Sequence, residues 1–176
     1  MRPALLAVIG RKGCGKSGVI EKLILNLRQR GFRIGLVKHL AKPGLEIDQP
    51  EKDTYRYRKC GAETVVLSGQ NQMAIFSDIR EETPLKKILL FFENYDLVLL
   101  EGYFLDAVMK IEVHRSEAGD PLTQKMANVL ALVSDVQTPI SAVHFTHDQT
   151  AGLIYLVEGW MKIHMEMNLQ KEEIHA

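Results

Sequence analysis

A glycine-rich segment near the start of the chain constrains the fold more than any other feature. It occupies Gly10–Ser17, reads Gly-Arg-Lys-Gly-Cys-Gly-Lys-Ser and fits the pattern GxxxxGK[ST]. The continuous apolar run Ala4–Ile9 precedes it, as expected for a central strand covered on both faces. Apolar residues at helical spacing follow it, namely Ile20, Leu23, Ile24 and Leu27. Strand, glycine turn and helix in this order predict a phosphate-binding loop.

The residue types in this loop suit phosphate chemistry. Glycines let successive backbone N–H groups turn inward around an anion, and the helix that begins there adds its partial positive charge. Lys16 is placed to reach the β- and γ-phosphates of a nucleotide, and the Ser17 hydroxyl can ligate Mg²⁺. A chance glycine-rich turn is the alternative. The predicted nucleotide-binding residues are Gly10, Arg11, Lys12, Gly13, Cys14, Gly15, Lys16, Ser17 and Gly18.

A second apolar run, Leu97–Leu100, ends at Glu101 and Gly102. In a doubly wound sheet, a carboxylate at the carboxyl end of a strand lies beside the phosphate loop. Glu101 is therefore predicted to hold Mg²⁺ or to orient an attacking water. A solvated strand end is the alternative for Glu101. Asp96 lies at the opposite end of the strand and is interpreted as a turn residue.

The remaining pattern alternates apolar strands with amphipathic helices, which predicts an α/β protein with a mainly parallel sheet. Two runs separated by Ser-Gly-Gln-Asn predict an antiparallel hairpin at one edge. We expect one domain over residues 1–164 and a polar tail over 165–176. The predicted further strands are 34–37, 109–113 and 129–133, and the predicted hairpin strands are 64–67 and 73–76.

Three more helices are predicted from periodicity and capping residues. Asp53 or Thr54 can cap a short helix that ends at Cys60, before Gly61. Apolar residues over 85–92 indicate an amphipathic helix. The last helix runs through Trp160, with Asp148 as a candidate cap.

Composition excludes several classes of function. Lys and Arg together number 22 and Asp and Glu number 22, so the basic excess that nucleic acid or an anionic membrane selects is absent. No apolar run approaches the ~20 residues needed to cross a bilayer. The first apolar run is shorter than the ~7–15 residues of a signal peptide core, so we expect a cytoplasmic protein. Cys14 and Cys60 are expected to be free thiols, without a disulfide or a zinc site.

The residues alone leave the base undecided. The guanine-reading Asn-Lys-x-Asp sequence is absent, and so are the HRD and DFG sequences of protein kinases. Either ATP or GTP is compatible with the phosphate loop.

Several segments together resemble the molybdopterin-guanine dinucleotide biosynthesis protein B (MobB) family of P-loop GTPases. The resemblance runs from Ala4 to about Trp160. The phosphate loop is widespread, whereas the other segments in combination are far more discriminating. The segments that carry the resemblance are 10–17, Gly-Leu-Val-Lys-His at 35–39, Asp-Gln-Pro-Glu-Lys-Asp-Thr-Tyr-Arg at 48–56, Lys-Cys-Gly-Ala at 59–62, Asp-Leu-Val-Leu-Leu-Glu-Gly-Tyr at 96–103 and Ala-Leu-Val-Ser-Asp at 131–135.

The resemblance implies a three-layer P-loop NTPase fold and a GTP-binding accessory protein with weak GTPase activity that requires Mg²⁺. Such proteins act beside the guanylyltransferase that attaches GMP to molybdopterin, during biosynthesis of the guanine dinucleotide form of the molybdenum cofactor. The resemblance also implies a homodimer whose sheet extends across the subunit interface. Molybdopterin itself is a further candidate partner.

The resemblance adds residue roles. Lys16, Glu101 and Asp48 are the catalytic candidates, and Ser17, Asp48 and Glu101 are the metal candidates. Glu101 and Gly102 are expected to face the γ-phosphate. Asp48 lies in the loop where related GTPases hold a carboxylate for metal or water. Ser134 and Asp135 end a late strand and are the candidates for contact with guanine. A strand-terminating turn is the alternative for this pair.

Two other functions stay open at this stage. The first is a P-loop kinase of a small metabolite, in which Arg56 and Arg58 close over the phosphates. The second is a docking module that the nucleotide controls without significant turnover.

Overall fold

The computed structural model describes residues 2–40, 47–138 and 141–174. Three short 3-10 turns accompany the regular elements, at Leu89–Phe92, Ser116–Ala118 and Leu122–Lys125. In chain order the helices and strands are β1 (Ala4–Ile9), α1 (Lys16–Gln29), β2 (Ile34–Lys38), α2 (Asp53–Lys59), β3 (Thr64–Ser68), β4 (Met73–Ser77), α3 (Leu85–Ile88), β5 (Leu97–Glu101), β6 (Met109–Val113), β7 (Val129–Val133), β8 (Val143–Phe145) and α4 (Thr150–Ile174).

The chain divides into two compact units. The larger unit comprises residues 1–41 and 91–176, and the smaller unit comprises residues 42–90. The larger unit holds a six-stranded sheet in the order β2-β5-β1-β6-β7-β8, in which every neighbouring pair is parallel. The predicted α/β class with a mainly parallel sheet is confirmed.

The two central strands are buried because both of their faces are covered. In β1, the side chains of Leu6 and Val8 have no exposed surface, and in β5 the same holds for Leu99 and Leu100. This explains why these strands read as continuous apolar runs and do not alternate with polar residues. The parallel register brings the carboxyl ends of β1 and β5 together, since Val8 is paired with Glu101.

One face of the sheet packs against α1 and α4. Leu23 and Leu27 of α1 are fully buried, and so are Val157 and Met161 of α4. Their helical spacing gives each helix one apolar stripe toward the sheet. Burial of side chains of this size stabilises the fold by about 1.5–3 kcal/mol each.

The opposite face of β6 carries buried charged groups. Lys110 is fully buried, and its Nζ donates hydrogen bonds to the carbonyl oxygens of Asp106 (3.2 Å), Val108 (2.7 Å) and Ala127 (3.2 Å). Burial lowers the pKa of the Lys110 ammonium, and the charge of Asp106 acts in the opposite direction. Lys110 therefore fastens the segment before β6 to the segment before β7.

The smaller unit contains the predicted hairpin. β3 and β4 pair antiparallel, with Val66 opposite Ile75, and form a two-stranded sheet of their own. The hairpin is confirmed, and within the described residues its two strands hydrogen-bond as a sheet only with each other. Helix α2 precedes the hairpin, and Gly61 ends that helix region with a φ of +108°.

Several boundaries differ from the predictions. Lys52 takes the cap position of α2, so the capping prediction for Asp53 or Thr54 is wrong. The Asp53 carboxylate accepts a hydrogen bond from Arg56 instead, and the Thr54 hydroxyl donates to the Asp48 carboxylate. The helix expected over 85–92 is a four-residue α-helix followed by a 3-10 turn. The capping prediction for Asp148 is wrong, because its carboxylate accepts a hydrogen bond from Thr146 and α4 begins at Thr150.

The last helix is also longer than predicted. We expected a polar tail over residues 165–176, whereas α4 continues to Ile174. Strong helix formers such as Met, Leu, Gln, Lys and Glu make up most of this segment, so the helix propagates beyond its packed first half. Strand β8 was not predicted, since it has three residues and none of them is fully buried.

Candidate functional site

The phosphate-binding loop joins β1 to α1 and depends on three glycines. The φ angles of Gly10, Gly13 and Gly15 are +146°, +86° and +96°, values that L side chains rarely adopt. A Cβ at Gly10 would also lie 2.2 Å from the carbonyl oxygen of Val113, at the end of β6. The path of the loop therefore favours glycine at all three positions, and at Gly10 a Cβ would also clash.

The Lys16 ammonium lies over the same loop. Its Nζ donates to the carbonyl oxygens of Gly10 (3.0 Å) and Arg11 (2.8 Å). Ser17 is exposed in the first turn of α1, and that turn contains no acidic side chain. The first N–H groups of a helix have no partner within the helix and carry a partial positive charge. At the start of α1 this charge faces the loop, and the first turn has no carboxylate that would neutralise it.

The other predicted loop residues fit the same arrangement. Arg11 and Lys12 are exposed and add positive charge beside the loop. Cys14 is buried, and its thiol donates to the Arg11 carbonyl oxygen, so the side chain supports the turn. A Cβ at Gly18 would meet no atom within 4 Å. The phosphate contacts of residues 10–18 stay a prediction.

The structure brings Glu101 and Gly102 to the same edge of the sheet. Glu101 is paired with Val8, two residues before Gly10, and its side chain is 12% exposed. Its Oε1 lies 3.2 Å from Lys38 Nζ at the end of β2. Gly102 has a φ of +83°. The sequence analysis missed Lys38 as the partner of Glu101, although both residues end strands that were predicted.

Ser134 and Asp135 follow β7 and have different surroundings. Ser134 is fully buried, and its hydroxyl lies 2.9 Å from His114 Nδ1 and accepts from the Val136 N–H (3.2 Å). Asp135 accepts from the N–H (2.9 Å) and the hydroxyl (3.2 Å) of Ser116. These bonds, chiefly that of the Ser116 N–H, lower the pKa of the Asp135 carboxyl. A guanine contact by either residue stays a prediction.

Buried polar groups hold the connection between β6 and β7 against the sheet. Both carboxylate oxygens of Glu112 accept hydrogen bonds, from the N–H groups of Leu122 (2.7 Å) and Thr123 (2.9 Å) and from the Thr123 hydroxyl (2.6 Å). His114 Nε2 lies 2.6 Å from the Gly119 carbonyl oxygen. The connection is therefore fixed at two points next to the strand that contacts Gly10.

The loop between β8 and α4 also reaches the phosphate loop. A Cβ at Gly15 would lie 3.8 Å from Cε1 and 3.9 Å from Nδ1 of His147. His147 Nε2 lies 3.1 Å from the His114 carbonyl oxygen. The sequence analysis missed His147, because a single histidine after an unpredicted strand carries no signal of its own.

Asp48 belongs to the smaller unit and has partners there. Its Oδ1 accepts from the Gln49 N–H (2.9 Å) and the Thr54 hydroxyl (2.9 Å), and its Oδ2 lies 3.7 Å from Arg58 Nη1. The carboxylate thus organises the turn that leads into α2. The metal and catalytic roles of Asp48 stay predictions.

In the described parts of the chain, no group of three or more His, Cys, Asp and Glu side chains is placed to hold an ion. Cys14 and Cys60 are both free thiols. Within the same described ranges, no helix has the length and apolar character of a membrane span.

The parallel sheet and the glycine loop at the carboxyl end of its central strand define an α/β protein of the P-loop class. The family model of molybdopterin guanine dinucleotide synthesis protein B matches residues 5–135. The chain therefore belongs to this family, MobB, as the sequence resemblance indicated.

Relatives and solved structures agree with this assignment. The chain is 31% identical over 164 residues to the molybdopterin-guanine dinucleotide biosynthesis adapter protein of Escherichia coli, covering 90% of this chain and 93% of the relative. It is 28% identical over 159 residues to the Haemophilus influenzae protein of the same description, covering 89% of each. The crystal structure of Bacillus subtilis MobB shares the fold with a TM-score of 0.73 at 22% identity, covering 89% of this chain and 96% of that structure.

Proposed function

We propose that this protein binds GTP together with Mg²⁺ at the phosphate-binding loop and acts as an adapter in molybdopterin-guanine dinucleotide biosynthesis. The observation that carries the proposal is the loop itself, in which three left-handed glycines and the Lys16 ammonium lie together at a helix start. The descriptions of the relatives supply the pathway.

The residues present fit a magnesium nucleotide. The amides of the loop would hold the phosphates, Lys16 would neutralise them, and the exposed Ser17 hydroxyl would ligate the ion. Bound Mg²⁺ would neutralise charge on the phosphate oxygens. Glu101 is the candidate for a second contact, through water or directly, at the neighbouring strand end.

The arrangement supports slow hydrolysis. Glu101 forms an ion pair with Lys38. The positive charge of Lys38 makes the Glu101 carboxylate a weaker base for taking a proton from an attacking water. Arg11 is exposed at the loop, where solvent would weaken any charge that it supplies to the transferring phosphoryl group. We therefore propose that bound GTP acts mainly as a signal for partner binding, with weak turnover.

The proposed partners follow from the pathway and from the surface. The enzyme partner is the guanylyltransferase that joins GMP to molybdopterin, in the cytoplasm, and molybdopterin is the candidate small-molecule partner. A second copy of the chain is the other partner. The hairpin of the smaller unit exposes the apolar side chains of Val66, Met73 and Ile75. A two-stranded sheet is only marginally stable by itself, and an exposed apolar patch of this kind marks a surface for another protein.

Titration calorimetry of the full chain tests the nucleotide site. We expect GTP binding that requires Mg²⁺ and that exceeds ATP binding in direct competition. Lys16→Ala should weaken GTP by roughly 10–100-fold, because each hydrogen bond to a charged group contributes about 1.5–3 kcal/mol. Lys87→Ala, at an exposed lysine of α3, is the matched control. Equal GTP affinity in wild type and Lys16→Ala would exclude the loop as the site.

A reconstituted transfer assay tests the adapter role. The wild-type protein is first loaded with GTP or with a non-hydrolysable GTP analogue. It is then combined with guanylyltransferase, molybdopterin and the GTP that the transferase uses as substrate. Enhanced dinucleotide formation that depends on Lys16 supports the proposal. No enhancement by the wild-type chain would reject it, and equal enhancement with the analogue would assign the effect to docking without turnover.

A further inference from the structure

His147 lies in the loop between β8 and α4 and is held from two directions. Its Nε2 lies 3.1 Å from the carbonyl oxygen of His114, and its own carbonyl oxygen accepts from Lys22 Nζ (3.5 Å) in α1. Lys22 also donates to the Thr150 hydroxyl (3.2 Å) at the start of α4. The imidazole is half-buried and is fixed relative to both the sheet and the helix that leaves the phosphate loop.

Among the described residues, these contacts leave Nδ1 as the ring nitrogen without a hydrogen-bond partner. A carbonyl oxygen only accepts hydrogen bonds, so Nε2 must carry the proton in its bond to His114. In the neutral ring, Nδ1 is then an acceptor with an available lone pair. The edge formed by Nδ1 and Cε1 faces the phosphate loop, 3.9 and 3.8 Å from the position a Cβ would take at Gly15.

The strand order of the sheet indicates which part of a bound nucleotide lies near the Nδ1 edge of His147. This step rests on the proposed function, in which the terminal phosphate lies toward Glu101 of β5. Strands β6, β7 and β8 lie on the other side of β1, so the loop that follows β8 lies toward the nucleoside. We infer that Nδ1 of His147 accepts a hydrogen bond from an N–H or O–H group of the bound nucleoside.

Two charged side chains lie near the ring, Lys22 and Asp148. The Thr146 hydrogen bond, together with the charge of His147, lowers the pKa of the Asp148 carboxyl. Lys22 of α1 approaches the backbone carbonyl of His147, and Asp148 is occupied by the Thr146 hydroxyl. His114 presents its carbonyl oxygen, and its own ring is bonded to Ser134 and Gly119. A ribose hydroxyl, the guanine 2-amino group and the guanine N1–H are the donors that could meet Nδ1.

Calorimetry on the full-length chain tests the inference with three ligands: GTP, GDP and inorganic triphosphate. His147→Ala should weaken GTP and GDP by the same factor, about tenfold, and leave the affinity for inorganic triphosphate unchanged. His147→Gln, which retains an acceptor, should recover part of the loss and serves if the alanine variant folds poorly. His164→Ala, whose ring contacts Trp160 on α4, is the matched control.

Analogues then identify the donor. Three analogues replace GTP: 2′,3′-dideoxy-GTP lacks the ribose hydroxyls, ITP lacks the 2-amino group and 1-methyl-GTP lacks the N1–H. The wild type and His147→Ala should have equal affinity for the one analogue that lacks the donor. A variant effect that persists with all three would overturn the inference. Unchanged GTP affinity in His147→Ala, or an equal loss for inorganic triphosphate, would also overturn it.

The Lys16→Ala variant separates the two proposals. If Lys16→Ala loses GTP and His147→Ala does not, the inference about His147 fails and the nucleotide site stands. If the wild type binds no GTP, both fail together.

Discussion

Gly10 is where the sequence requirement of the loop is strictest. Its φ of +146° and the 2.2 Å approach of a Cβ to Val113 oxygen are independent obstacles to any other residue. We expect Gly10→Ala to destabilise the chain by about 2–4 kcal/mol, from backbone strain and overpacking combined, and to abolish GTP binding. Urea unfolding and calorimetry measure both effects.

Gly159→Ala is the matched control for this substitution. A Cβ at Gly159, inside α4, would meet no atom within 4 Å. The variant should stabilise the chain by about 0.5–1 kcal/mol, because alanine loses less entropy in a helix. A Gly10→Ala variant as stable as wild type and with normal GTP binding would contradict the tight packing of the loop on β6.

Lys110 gives a second prediction at this scale. Its ammonium satisfies three carbonyl oxygens in a fully buried position. Lys110→Met keeps most of the volume and leaves these carbonyls without that donor, so stability should fall by about 2–4 kcal/mol in urea unfolding at pH 7. Lys87→Met, on an exposed surface, should change it by less than about 0.5 kcal/mol. Unchanged stability in Lys110→Met would show that water replaces the ammonium without cost.

Among the elements, the β6–β7 connection is held by side chains more than by regular structure. Asp135 accepts two hydrogen bonds from Ser116 in this connection, and the pKa of its carboxyl is lowered. A lowered pKa in the folded chain means that this stabilisation is present above the unfolded value, ~3.9, and is lost as the pH falls through the folded value. Acidification should therefore lower the free energy of unfolding.

Asp135→Asn should make this acid dependence shallower. We expect lower stability than wild type at pH 7 and a smaller difference between the two proteins below pH ~3, measured by urea unfolding at steps between pH 7 and 2.5. Asp120→Asn, at an exposed position of the same connection, should keep the wild-type profile. Parallel profiles for wild type and Asp135→Asn would show that Asp135 does not couple to folding.

Elements differed in how far the sequence could predict them. β1, β5 and the glycine loop were predictable because burial on both faces and the need for left-handed backbone each restrict the residues allowed. β8 and the loop after it were not, since three half-exposed residues and one histidine are compatible with many structures. The Lys38–Glu101 pair and the Gly15–His147 approach depend on which strands become neighbours, and no local pattern encodes that order.

At the scale of the whole molecule, the two units differ in how they bury apolar surface. The larger unit covers its sheet with α1, α4 and the β6–β7 connection, and most side chains of β1 and β5 are buried. In the smaller unit, Val66, Met73 and Ile75 are about half exposed or more. Their exposure supports the proposed homodimer, because a second copy would bury apolar surface that a two-stranded sheet leaves in water.

The dimer is tested by one substitution on the hairpin. Val66 stands opposite Ile75 and both are exposed, so a charge at position 66 would lie within the apolar patch. We expect light scattering of the wild type to give twice 19.9 kDa and that of Val66→Lys to give 19.9 kDa. Leu25→Lys replaces an equally exposed apolar residue of α1 and should stay dimeric. A monomeric wild type would reject the homodimer. A dimeric Val66→Lys variant would show that the dimer interface does not include the hairpin.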